Sequence, residues 1–334
     1  MSEADMQMVR EHVPGGYNLA VGEPFFLQEI YGHLYPRFAD HKPQYPQLGG
    51  DPALVKLLET RYGGQKVVVA NGAKQALLAA CYAIRKADPD KIILTHQTPY
   101  WPTYPTIAEL TLVNFEAKLN RDHGSRHTVR VLTSPNNPDG HMGGSESTQQ
   151  WDIWDAAYAS RVYGWDGIVP WHRISVWSGA KLYGPSGYRV GWLVTADHEL
   201  ARLAAEYVEK TTSGVASPSQ SLMKIFLQGL PADTSQLDQL ARDDLLAAGR
   251  VFRKLDHLFL GLTGLPVIGQ GMFAWVKARN PDQLRSLLAK AKVKFVGGQF
   301  CGADDSWFRF SMGVGAEVMH QAVDAILEAE RGSS

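Results

Sequence analysis

The chain has 334 residues, of which 45% are hydrophobic and 20% charged, with a formal net charge of −1. This composition fits an ordinary globular protein with ample core, and it gives no electrostatic case for nucleic acid or an anionic membrane. Two cysteines, Cys81 and Cys301, are too few for a disulfide framework, no apolar run reaches membrane-spanning length, and the polar start of mixed charge does not read as a signal peptide, so the cytoplasm is the expected compartment.

Residues 17–24 read as a short apolar strand running into Gly22 and Pro24. A glycine there lets a ligand approach the backbone, although a plain turn is the simpler reading. The stretch 35–50 is rich in Pro, Tyr and Gly and reads as loop. A helix is predicted over 51–58, with Asp51 as N-cap and Pro52 at the first helical position. Over 66–80 a β-branched run breaks at Asn71-Gly72 and enters an Ala/Leu-rich helix. Strand, glycine turn and helix N-terminus leave free backbone N–H groups that suit an anion. Many α/β turns share this form, and Lys74 reads equally well as a solvated lysine.

A strand over 91–94 leads into Pro99-Tyr100-Trp101-Pro102. Ligands of open parallel sheets bind at the carboxyl ends of strands, where an aromatic ring can stack on a planar group. Aromatic packing in a stiff loop is an equal alternative. A strand over 129–133 ends in Ser134-Pro135-Asn136-Asn137-Pro138-Asp139-Gly140. After a polar insert, a short strand ends at Asp155, and Tyr158 follows three residues on. A carboxylate at a strand end can pair with a pyridinium nitrogen.

The central stretch is 178–192. Lys181 sits among small residues, with Ser178 three positions before it and Arg189 eight after it. A lysine amine forms a Schiff base with an aldehyde when its pKa is lowered. Serine and arginine suit a phosphate. A ligand with both groups is pyridoxal 5′-phosphate (PLP), so Lys181 is expected to hold PLP as an internal aldimine. Ser178-x-x-Lys181 also matches the acyl-enzyme motif of penicillin-binding proteins. That motif needs a helix start, whereas Gly179, Gly184, Pro185 and Gly187 argue for a loop. Its K-T-G partner is missing too, Lys210-Thr211-Thr212 being a near miss.

Helices are predicted over 199–210 and 219–227, and a long amphipathic helix over 237–260. A strand over 272–277, a helix over 281–291, a strand over 293–296, an alternating strand over 307–311 carrying Arg309, and a closing helix over 315–330 complete the chain. Mixed elements of this kind suit a small α+β unit.

Taken together, Asn137-Pro138-x-Gly140, Asp155-x-x-Tyr158, Ser178-x-x-Lys181 and Arg189 resemble fold-type I PLP enzymes of the aminotransferase class I/II group. The resemblance runs from about residue 18 to 309. It is narrower to the alliinase and plant tryptophan aminotransferase branch, through the 134–140 stretch and the short gap from Asn137 to Asp155. That gap is too short for the loop, helix and strand most class I enzymes place there. The Cys-rich N-terminal module of plant alliinases is absent from this sequence.

The resemblance implies an α/β PLP-dependent transferase fold of type I, with a large domain over 31–235 built on a mostly parallel seven-stranded sheet. Residues 236–334 would form a small α+β domain, and 1–30 an N-terminal segment contributing to it and to the substrate pocket. Lys181 would be the Schiff-base lysine and proton shuttle. Asp155 would keep the pyridine nitrogen protonated, and Asn137 and Tyr158 would bond the ring oxygen. Trp101 would stack on the ring. Gly72, Ala73, Lys74, Ser178 and Arg189 would bind phosphate, joined by Tyr45 reaching the partner subunit's phosphate in a homodimer. Gly22 would line the substrate pocket, Asn137 would contribute to it, and Arg309 would take the substrate α-carboxylate. The aromatic stretches 31–45 and 100–104 are expected to wall an apolar pocket. The expected activity is amino transfer from an L-amino acid, aromatic or large apolar, to a 2-oxo acid. A C–S or other β-eliminating lyase is the alternative on the same scaffold. A PLP-binding module without catalysis is a third reading, against which the intact Lys181, Asp155 and Arg189 argue. No metal is expected.

Overall fold

In a computed structural model that describes residues 14–20, 24–34, 46–118, 127–143 and 151–332, β-branched runs alternate with Ala/Leu-rich helices through the first two thirds of the chain. After β1 (Tyr17–Asn18) and α1 (Phe25–Tyr31), α2 (Pro52–Arg61) starts as its sequence dictates: the Asp51 side chain accepts from the Leu54 amide at 2.8 Å, with proline at the first position. Then come β2 (Lys66–Ala70), α3 (Gly72–Ala87), β3 (Ile93–Gln97), α4 (Tyr104–Leu110), β4 (Asn114–Lys118), β5 (Thr128–Thr133), β6 (Trp151–Asp155), β7 (His172–Ser178), α5 (Gly179–Tyr183) and β8 (Gly191–Thr195).

Strands β2 to β8 form one seven-stranded sheet in the order β2-β8-β7-β6-β5-β3-β4. All pairs are parallel except those of β8, which runs antiparallel to both β2 and β7. The parallel strands therefore end together, and Gln97, Thr133, Asp155 and Ser178 are the last residues of β3, β5, β6 and β7. Side chains alternate across each strand. Ile153, Ile174, Val176 and Leu193 meet α3 and α6 (His198–Thr212) on one face, while Trp154, Trp177, Trp192 and Val194 join a larger apolar core on the other.

The chain continues through α7 (Ser217–Gly229), α8 (Ser235–Phe252), β9 (Phe259–Gly264), α9 (Leu265–Ile268), β10 (Phe273–Ala278), α10 (Pro281–Lys290), β11 (Val293–Lys294), β12 (Val296–Gly297), β13 (Trp307–Ser311) and α11 (Ala316–Arg331). A four-stranded antiparallel sheet has the order β12-β13-β10-β9. Helices α8 and α11 pack on each other, burying Ala248, Phe252, Met319 and Val323. β1 pairs in parallel with β11, Tyr17 opposite Val293.

Three sequence expectations need correction, and one helix goes unpredicted. Residues 179–183 are helical rather than loop, because the Ser178 hydroxyl caps the turn by accepting from the Lys181 amide at 3.3 Å. The helix predicted over 237–260 ends at Phe252; a 3-10 turn covers Arg253–Leu258, and Phe259–Gly264 is a strand. The strand predicted over 293–296 is two short strands that join different sheets, with Phe295 between them. Residues 25–31, for which no element is predicted, form α1.

Candidate active site

The last residues of the parallel strands gather the polar groups. Asp155 is buried, and its two oxygens are used by neutral donors: Oδ2 accepts from the Tyr104 hydroxyl at 2.7 Å and Oδ1 from the Ala157 amide at 3.1 Å. No Lys or Arg among the described residues pairs with it. Burial pushes its carboxyl up to about 6, against the two hydrogen bonds that favour the ionised form. Trp101 stands edge-on to Tyr104 at 5.6 Å, and the Lys74 ammonium lies 5.9 Å from the Trp101 ring centre.

Asn137 joins two further candidates. Its Nδ2 donates to the Tyr158 hydroxyl at 3.4 Å, and its Oδ1 accepts from Arg309 Nη1 at 2.9 Å. Arg309 comes from β13, opposite Trp275 and Val296. It is buried, with Nη2 donating to the Ala20 carbonyl at 3.1 Å and the guanidinium 4.4 Å from the Phe273 ring centre. Its Nε has no hydrogen-bond partner among the described residues, and no carboxylate there pairs with it. Burial lowers its pKa. The Tyr158 phenol is pushed up, by burial first, with Arg309 opposing. Tyr163 ties this group to Lys181: its ring stands edge-on to Tyr158 at 5.3 Å, and its hydroxyl donates to the Lys181 carbonyl at 2.7 Å.

On the other side of Lys181 the backbone forms a cradle. Register sets Ser178 opposite Gly191, and Gly191 opposite Ala70, two residues before α3 begins. A Cβ on Gly191 would lie 2.5 Å from the Ala73 nitrogen, so only glycine lets β8 approach the start of α3 this closely. Gly72 has φ +76°, and a Cβ there would lie 2.6 Å from Arg189 Nη2. Asn71 gives α3 no side-chain cap, and the 16-residue helix thus presents its first amides beside an arginine. Arg189 is exposed and donates to the backbone carbonyls of Ser186 at 3.1 Å and Asn71 at 3.5 Å.

A sequence model of the family described as Allinase matches residues 59–247, more than half of the chain. The chain belongs to the alliinase family. It is 34% identical over 276 residues to the tryptophan aminotransferase-related protein 2 of Arabidopsis thaliana, covering 74% of this chain and 62% of that protein. It is 24% identical over 362 residues to an aspartate aminotransferase of Thermotoga maritima, covering 92% of this chain and 90% of that one. The chain spans less than two thirds of the length of the plant relative. Among solved structures, the aspartate aminotransferases of Rhizobium meliloti (TM-score 0.72, 20% identity, 98% of this chain and 93% of that one) and of Thermotoga maritima (TM-score 0.71, 21% identity, 99% and 95%) share the fold.

Members of this fold family use PLP, and the residues of this alliinase-family chain fit it. A buried carboxylate without a cation suits a ring nitrogen that carries a proton. A glycine cradle whose space a Cβ would fill, beside a helix N-terminus and an arginine, suits a phosphate. The sequence candidates thus fall into two connected groups. Asn137, Asp155, Tyr158 and Arg309 form one; Gly72, Ala73, Ser178 and Arg189 form the other, with Lys181, Lys74 and Trp101 adjoining them. Gly22 and Tyr45 lie outside the described residues. Tyr104, Thr133 and His96, which line the back of Asp155, escape sequence reasoning.

Of the expected aromatic wall, Tyr31 and Tyr104 are buried, their hydroxyls donating to Asp238 and Asp155, Trp101 is partly exposed, and residues 35–45 lie outside the described residues. A cavity of about 650 Å³ lined by Tyr62, Trp165, His172 and Trp177 lies against the sheet face opposite α3.

Proposed function

We propose that the chain is a PLP-dependent aminotransferase that moves an amino group from an L-amino acid to a 2-oxo acid. One observation carries the reading: Asp155 and Arg309 are two buried opposite charges in one site that do not pair with each other. A buried charge without a counter-charge is costly, so each is held for a ligand group of the opposite sign.

In this reading Lys181 Nζ holds the cofactor covalently, and Asp155 faces its ring nitrogen. Trp101 covers the ring. Asn137 and Tyr158 hydrogen-bond the ring oxygen. Gly72, the amides of Ala73 and Lys74, the Ser178 hydroxyl and Arg189 hold the phosphate. The bound cofactor supplies an electron sink for negative charge at the substrate Cα. The protein does the rest. Arg309 takes the α-carboxylate with its fork and fixes which Cα bond faces Lys181. Lys181 Nζ removes the Cα proton and redelivers it. Asn137 holds Arg309 and Tyr158 in one unit.

The amino donor is aromatic or large and apolar. The relative's name, tryptophan aminotransferase-related, supports this, as do Phe273 under Arg309 and Trp275 beside it on β10. The working unit is a homodimer in which Tyr45 reaches the partner subunit's phosphate, and Gly22 lines the substrate pocket.

A substrate panel scored separately for keto-acid formation and for pyruvate release tests the reading. Faster keto-acid formation from an aromatic amino acid, with 2-oxoglutarate or pyruvate as acceptor, is expected. Faster pyruvate and ammonia release from a cysteine sulfoxide would make the chain a C–S lyase, the reaction its family description names.

A further inference from the structure

Behind Asp155 runs a line of hydrogen-bonding side chains, all buried. Tyr104 Oη lies 2.7 Å from Asp155 Oδ2 and 2.6 Å from Thr133 Oγ1. Thr133 Oγ1 lies 3.0 Å from His96 Nε2, and His96 Nδ1 lies 2.7 Å from the Gln97 carbonyl. The His96 ring stacks on Tyr104 with centres 4.8 Å apart.

The protons of this line can be counted. A carbonyl oxygen only accepts, so His96 Nδ1 carries a proton. Three contacts remain, and each needs one proton. The two hydroxyls supply only two. With a neutral His96, Nε2 accepts from Thr133, Thr133 accepts from Tyr104, and Tyr104 accepts from Asp155, which must be a carboxylic acid. With Asp155 ionised every bond reverses, and the third proton must sit on His96 Nε2. Without it, two lone pairs face each other in a buried site.

We propose that Asp155 and His96 are the two ends of one relay holding a single shared proton, and that a cation bound against Asp155 drives this proton to His96. The transfer balances: the Asp155 O–H breaks, the protons of Tyr104 and Thr133 each move one oxygen or nitrogen along, and an N–H forms at His96 Nε2. His96 is thereby a positioning residue, acting on Asp155 through two hydroxyls. The cation rests on the proposed function, being the protonated ring nitrogen of PLP.

The resting charges agree with this. Burial raises Asp155 to about 6 and lowers His96 to about 4, so below pH 6 the shared proton rests at the Asp155 end while no cation is bound, and above it that proton is lost to water. Among the described residues, the other titratable groups facing the line are Tyr158, beside Asp155, and Cys81, beside Tyr104. Burial pushes the Cys81 thiol up to about 12 and the Tyr158 phenol up as well, so both are uncharged at neutral pH. Arg309 and Asp152 stand one group further out, facing Tyr158 and Cys81.

Nitrogen-15 NMR of the histidine rings tests the relay at about pH 5.5, below the Asp155 midpoint and above that of His96, with and without PLP. His96 is expected as the neutral Nδ1–H tautomer in the cofactor-free protein and as the imidazolium once PLP is bound. In Thr133→Val, which keeps the shape and cuts the line, His96 should stay neutral after loading. A neutral His96 in the loaded wild type, or an imidazolium in loaded Thr133→Val, overturns the proposal. A cofactor-free arm separates it from the assignment of PLP: with Thr133→Val, or with His96→Phe, Tyr104 is freed to donate to Asp155, and the Asp155 carboxyl midpoint should fall by about one pH unit. An unchanged midpoint in both variants also overturns it. Failure of PLP to attach to Lys181 would instead strike the proposed function.

Discussion

Arg309 Nη1 donates to Asn137 Oδ1 at 2.9 Å, joining β13 to the loop after β5 across 172 positions of sequence. The Arg309 guanidinium and the amide that bonds Tyr158 are therefore one connected unit. Losing a bidentate charged contact should cost roughly 2–5 kcal/mol of transition-state binding. Arg309→Ala should then lower kcat/KM by about 30-fold or more for every amino acid tested. In a double-mutant cycle with Asn137→Ala the two losses should be strongly non-additive. A loss confined to acidic substrates would put Arg309 on the side chain instead.

Asp155→Asn should have two opposite effects. Turnover should fall by ~10²-fold or more, because the ring nitrogen loses the anion that keeps it protonated. Stability of the cofactor-free protein should rise at neutral pH. In the folded state Asp155 holds its proton up to about 6, above the ordinary 3.8. Between those values the folded chain binds more protons than the unfolded one, so stability falls as pH rises through this window and stays reduced above it. The gap corresponds to roughly 3 kcal/mol at most. Thermal unfolding of cofactor-free protein between pH 4 and 7.5 checks this: the variant should lose the decline seen in wild type. Identical pH profiles would mean that Asp155 is not strained by burial.

Gly72→Ala should weaken PLP binding. The new methyl would sit 2.6 Å from Arg189 Nη2, at a backbone φ of +76° that alanine resists. Moving one charged donor away from a phosphate should cost about tenfold or more in affinity. Absorbance titration of cofactor-free protein with PLP measures it. Unchanged affinity would place the phosphate elsewhere.

Local chemistry made much of this legible in the sequence. Asp51-Pro52 announces a helix start, Asn71-Gly72 a strand-to-helix break, and Asp155 a strand end. The residues behind Asp155 left no such mark. Tyr104 reads as one more aromatic of the stretch 100–104 and His96 carries no local signal, because their meeting with Asp155 depends on the strand order β6-β5-β3. No local pattern encodes that order. At 179–183 the glycines outweighed a cap that was visible, since Ser178 is itself a good N-cap residue. The run past Phe252 kept its apolar spacing into a 3-10 turn and a strand, so periodicity alone overran the helix end.

The covalent assignment of Lys181 is the centre of the account, and one measurement addresses it directly. The PLP-loaded protein is reduced with borohydride, digested, and its peptides are mapped by mass. The phosphopyridoxyl mass should appear on the peptide that carries Lys181, and Lys181→Ala should abolish it. The same mass on Lys74 or Lys210 in the wild type, or no adduct on any lysine, would contradict the account.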